Sequence, residues 1–156
     1  MAITAITAPP FTLDHPYIQL GPTATGVEIS CAGTNLKAEP NQDSNTTKTF
    51  CGNYTTFADP DWTITVTIAQ SYGTGGSWTV LQPLMGTTVP FEIRPDQATA
   101  SVDNPVMSGT CYVAWMSFVD AAPGEISEVD LVLTVQGQPA WGITSPTSAQ
   151  AASAAA

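Results

Sequence analysis

Two runs of strict alternation constrain the fold of this chain more than any other feature. In "DWTITVTIAQ", residues 61–70, Trp62, Ile64, Val66 and Ile68 fall on one side of an extended backbone, and Thr63, Thr65 and Thr67 on the other. "SEVDLVLTVQG", residues 127–137, sets Val129, Leu131, Leu133 and Val135 against Glu128, Asp130, Val132 and Thr134. A two-residue period marks a strand with one buried face, because a helix would scatter the same apolar side chains around its axis. "TTVPFEIRP", residues 87–95, repeats the pattern, with Val89, Phe91 and Ile93 inward and Glu92 and Arg94 outward. Pro90 lacks an N–H, which suits an edge or strand-start position. A face made of threonines then raises the question of what lies against it.

The remaining segments fit a mainly β chain. "YIQL", residues 17–20, is a short strand ending at Gly21-Pro22. "GVEISCAG", residues 26–33, alternates Val27, Ile29 and Cys31 with Glu28, Ser30 and Ala32, and "NLKAEP" extends or pairs with it. "VMSGTCYVAWMSF", residues 106–118, is apolar on both faces from Cys111 onward, which requires cover on both sides, from a helix or second sheet and from a neighbouring subunit. One helix is expected in "GTGGSWTVLQPLMGT", with Ser77 as N-cap, Trp78, Leu81 and Met85 on one face, and Gly86 as the stop. Pro83 makes it short or kinked. Residues 40–60 form a long polar excursion that is either a mobile loop or a hairpin ordered against a neighbour. Its aromatics Phe50, Tyr54 and Phe57 favour the hairpin. The expected organisation is an N-terminal arm over 1–13, a β domain over 14–142 and a flexible tail over 143–156. The domain is a β-sandwich or rolled sheet carrying one short helix.

Charge and reactive residues narrow the function. Thirteen acids oppose Lys37, Lys48 and Arg94, for a net charge of −10. Duplex binding depends on Lys and Arg, so the charge argues against it; an acidic surface either keeps nucleic acid from adhering or serves solubility alone. No secretion signal or membrane-spanning run is visible, and Cys31, Cys51 and Cys111 are expected to be reduced, with Cys31 and Cys111 buried in strands. His15 is the only histidine and reads as a surface or packing residue. The cysteines lack metal-site spacing, "GTGG" lacks the Lys-Ser/Thr of a phosphate loop, and Asp59 and Asp61 around Pro60 read as a turn ahead of a strand. No catalytic group, metal or cofactor is expected.

The order of features resembles the tail tube (major tail) proteins of long-tailed bacteriophages over roughly residues 17 to 142. The carrying elements are "AGTNLKAEPNQDSNTTKTFCG", the strand "WTITVTIAQ" and the Gly-led, Trp-containing helix. Then come Val89, Phe91 and Pro95 of a V-x-F-x-x-x-P element, and Asn104, Pro105 and Gly109 of an NP-x-x-x-G element. Ser127, Glu128, Val129 and Asp130 open the last strand, which ends in Gly137 and Pro139. Pro83 and the short, proline-marked first strand depart from that pattern.

The resemblance implies hexameric rings stacked into a hollow virion tube, with the long loop and terminal arm reaching the next ring. It implies no cofactor, no catalysis and no membrane. Partners would be copies of the chain itself and other tail proteins (tape measure, tail terminator, baseplate or tip), with genomic DNA passing through the lumen without specific binding. Thr63, Thr65, Thr67, Glu128 and Asp130 are the lumen-lining candidates; Lys48, Phe50, Tyr54, Phe57, Tyr112 and Trp115 are the candidates for contacts between subunits or rings. Two other readings fit the composition. One is a capsid decoration or head–tail joining protein; the other is a glycan-binding surface module stacking sugar on Tyr54, Trp62 and Trp78.

Overall fold

The computed structural model describes residues 5–145. The strands are β1 (Tyr17–Leu20), β2 (Val27–Glu28), β3 (Gly33–Asn41), β4 (Ser44–Thr49), β5 (Gly52–Phe57), β6 (Asp61–Ala69), β7 (Thr88–Arg94), β8 (Val106–Val113), β9 (Glu128–Val135) and β10 (Ala140–Gly142). Between β6 and β7 lie the helix α1 (Ser77–Leu81) and a 3-10 turn, Gln82–Leu84. One antiparallel sheet runs in the order β2-β1-β7-β8-β9-β6-β3, and β4 with β5 forms a separate hairpin. β9 and β10 share one side of β8: Cys111–Val113 pair with β9, Val106–Ser108 with β10.

The two ends of the sheet, β2 and β3, are joined by only four residues, so the sheet must roll until its ends approach. The alternating runs then do what their period demands. Ile64, Val66, Ile68, Leu131 and Leu133 are fully buried inside the roll with Ile18, Leu20, Cys111 and Val113. One end is closed by α1 and the turn after it, which bury Leu81 and Met85. Gly86 N donates to Val113 O and Ser77 Oγ to Ala69 O, which ties this plug to the ends of β8 and β6. The architecture is the expected mainly β rolled sheet with one short helix.

Several details differ from the sequence reading. Gly76 is the N-cap; Ser77 is the first helical residue, and its Oγ accepts from Ser71 N. Pro83 sits in the first turn of the 3-10 segment, so the helix ends early, and Gly86 (φ +76°) reverses the chain as its stop. The 26–33 strand shrinks to Val27–Glu28: Ile29 N still donates to Ile18 O, but Ile18 N donates to Ser30 Oγ rather than to a backbone carbonyl, and Ile29–Ala32 turn toward β3. Cys31, expected in a buried strand, is therefore exposed. "NLKAEP" belongs to β3, paired with β6. Pro90 is not on an edge, since β7 lies between β1 and β8. Its N-H-less side faces the place where β1 has already ended at Leu20, and its carbonyl accepts from Gly21 N. The 106–118 run stops as a strand at Val113; Val106 and Thr110 on one face and Met107, Cys111 and Val113 on the other are buried, while Tyr112 and Trp115 lie exposed. Ala140–Gly142, at the C-terminal limit of the expected β domain, form a strand paired with β8. From residue 146 the expected tail lies outside the described residues, as do the first four residues of the arm.

The NP-x-x-x-G residues serve the fold. Asn104 is buried; its Nδ2 donates to Asp96 O and Ala98 O while its Oδ1 accepts from Asp96 N, stapling the loop between β7 and β8. A Cβ on Gly109 would stand 3.3 Å from Phe91 Cε1 and 3.7 Å from Pro139 Cα, so a larger residue would press on the Phe91 ring.

Candidate functional site

The outer face of the roll divides in two. Across β3, β6 and β9 the register sets Glu39, Thr63 and Thr134 in one row; Lys37, Thr65 and Val132 form the next, and Asn35, Thr67 and Asp130 the third. Glu128 follows opposite Ala69. The structure thus brings Thr63, Thr65, Thr67, Glu128 and Asp130 onto one surface, partly or fully exposed. Thr67 Oγ1 donates to Asp130 Oδ1 at 2.7 Å, and Lys37 Nζ pairs with Glu39 Oε2 at 2.7 Å. The surface is a wall of hydroxyls and carboxylates whose one cation is already neutralised. Tyr112, opposite Thr134, continues the first row onto β8.

On β1 and β7 the same face is sealed. Glu92 and Arg94 do point away from the core, as the alternation requires, but they are not exposed: Glu92 and Gln19 retain only 5% of their accessible surface. Arg94 Nη1 contacts Glu92 Oε1 at 2.6 Å, and its guanidinium lies 3.9 Å from the centre of the Tyr17 ring. Tyr17 Oη donates to Gln19 Oε1, and Gln19 Nε2 donates to the carbonyls of Pro22 and Thr23 at 3.2 Å. The turn after Gly21 therefore folds over the polar side chains. Burial raises the Tyr17 phenol above its ordinary value, with the Glu92 charge adding to the effect.

The two ends of the roll are also unlike. The β4–β5 hairpin leaves at Asn41 and Asp61, where β3 and β6 end their pairing, and Ala58 N to Asp43 O at 2.9 Å carries the ribbon outward. Every residue of the hairpin is exposed, including Lys48, Phe50, Tyr54 and Phe57. Beside its root is an apolar groove of about 400 Å³, lined by Phe11, Leu13, Trp62, Ile93, Met107 and Trp141. There Trp62 and Trp141 meet edge to face at 5.2 Å. At the helix end, Phe118 packs between Tyr72 (5.4 Å) and Trp78 (4.9 Å), and Tyr72 Oη donates to the carbonyl of Phe118. Trp115 covers Gly86. The contact candidates thus separate: Lys48, Phe50, Tyr54 and Phe57 on the hairpin, Trp115 at the helix end, Tyr112 on the outer face. Sequence reading missed the helix-end cluster because Phe118 lies about 40 residues beyond Tyr72 and Trp78 in the chain and meets them only through the fold.

The reactive residues remain dispersed. His15 is exposed, and no group of three or more His, Cys, Asp or Glu among the described residues could hold a metal ion. The three cysteines are free; burial pushes the Cys111 thiol up to about 12 from 9.0. Among the described residues no helix is long and apolar enough to cross a membrane.

No protein-family model and no curated protein sequence matches the chain. Among solved structures, it is similar to a chain in the tail of an empty GTA particle, computed with helical refinement and C6 symmetry. The TM-score is 0.55 at 13% identity, covering 83% of this chain and 95% of that one. The protein is a mainly β protein with the fold of that tail chain.

Proposed function

We propose that this protein is a structural virion component that closes into hexameric rings, stacked as the hollow tube of a phage tail. The β3–β6–β9 wall faces the bore. The carrying observation is that open wall, hydroxyl- and carboxylate-coated with its only lysine paired, on a fold shared with a C6-symmetric tail chain. Such a lining gives a polyanion no cation to hold, so DNA passes without adhering. Closure of the ring also removes the free edge of the sheet and covers Tyr112. The hairpin bridges successive rings, since an isolated two-stranded ribbon with three exposed aromatics is marginal in water and gains its stability from a neighbour. Partners are other copies of the chain and the tail proteins at the two ends of the tube. The function requires no catalysis or cofactor.

Electron microscopy of concentrated protein tests the reading. Hollow tubes or six-fold rings are expected from the full chain, and soluble subunits without tubes from a chain lacking 41–56. A full chain that stays monomeric at every concentration overturns the assembly; normal tubes from the deletion overturn the role of the hairpin.

A further inference from the structure

The hairpin has aromatics and a cation but no cover, and the opposite end of the molecule has an uncovered aromatic surface flanked by acids. On the hairpin, Phe50 stands at the tip and is fully exposed. Lys48, paired across the ribbon with Asn53, is the one lysine or arginine that makes no ion pair among the described residues. At the helix end, Tyr72, Trp115, Phe118, Val119 and Ile126 are each at least half exposed. Single exposed apolar residues are ordinary, but a cluster of this kind marks a contact surface. The loop carrying it also contains Asp120 and Glu125, both exposed and outside the two ion pairs found among the described residues. Gln70 fixes the loop against the sheet: its Nε2 donates to Ser117 O, and Ser127 Oγ donates to its Oε1.

A hairpin cannot reach the cluster of its own chain. Its root is at Asp61, while the helix follows Ala69, so β6 separates them by about 27 Å at about 3.4 Å per residue. The ribbon then continues outward, away from the helix. Two unlike surfaces at opposite ends of one molecule make a head-to-tail contact, which leaves each copy with one surface free for the next.

We propose that the helix-end surface around Phe118 is the seat for the β4–β5 hairpin of a second copy, with Phe50 on the aromatic cluster and Lys48 against Asp120 and Glu125. The assignment rests on the stacking reading above and names the surface that receives the hairpin.

The test uses the full chain assembled into tubes. With Cys31→Ser, Cys51 beside Phe50 is the remaining exposed thiol, because Cys111 is buried. Adding Val119→Cys and a short bismaleimide is expected to give a ladder of linked copies on a denaturing gel; adding Phe11→Cys, at the hairpin end, is expected to give none. Tubes of the Val119→Cys variant without a ladder, or an equal ladder from Phe11→Cys, overturn the assignment. A second measurement does not depend on the added cysteines. Lys48→Glu should raise the concentration needed for assembly about tenfold, and Glu125→Lys in the same chain should recover part of it. Lys48→Glu tubes at the wild-type concentration contradict the seat. Absence of any tube from the unmodified chain contradicts the stacking reading itself.

Discussion

The two halves of the outer face begin from the same sequence pattern and end in different states. On β7, Glu92 and Arg94 alternate with core residues as Asp130 and Glu128 do on β9. The first pair is folded under Tyr17 and the 22–26 turn; the second stays open. What separates them is the neighbouring chain, not the strands themselves. β1 brings an aromatic ring and a turn that fold back, whereas none of the described residues lies over β3, β6 and β9. A polar face sealed by its own chain is structural. One left open, broad and almost free of cations is available to water or to another copy.

Predictions that test this contrast begin with the sealed half. Removing one partner of a buried ion pair strands the other, so Glu92→Ala should lower unfolding stability in urea by about 3–5 kcal/mol. A loss under 1 kcal/mol would mean that the sealed half is more hydrated than its burial indicates. Alkaline titration gives the next effect. The unfolded Cys111 thiol ionises near 9.0, while the native thiol holds its proton to about 12. Its stabilising contribution is complete below pH 9 and is lost as pH rises toward 12, by up to about 4 kcal/mol. The raised Tyr17 has the same sign, with stability lost above pH 10.0. Denaturation curves that are flat across this range in the wild type, or that match Cys111→Ser, would contradict the assignment.

On the open half the effects shrink. Lys37→Ala removes an exposed pair and should cost about 0–1 kcal/mol. Smallest in stability, Thr63→Lys with Thr65→Lys should change unfolding by less than about 0.5 kcal/mol per site, yet slow DNA passage through assembled tails. Unchanged passage would place the threonines away from the bore.

The alternating runs made much of this legible. Period two in 61–70 and 127–137 gave both strands and their buried sides, and the same count placed Thr63, Thr65, Thr67, Glu128 and Asp130 on one surface. Pro83 and Gly86 marked where the helix would fail. What stayed hidden depended on distant neighbours. The burial of Glu92 comes from a turn some 70 residues earlier, and Ala140–Gly142 become a strand because β8 has a free length beside them. Pro90 is tolerated because β1 ends at Leu20. Local pattern reports which side a residue faces; it does not report what the rest of the chain lays over that side.

The central claim is that the β3–β6–β9 face is a lumen wall, and imaging the assembly at side-chain resolution tests it most directly. The account predicts a six-fold tube with Thr63, Thr65 and Thr67 turned toward a hollow bore and the hairpin against the next ring. A tube with that face turned outward, or buried between subunits, contradicts it.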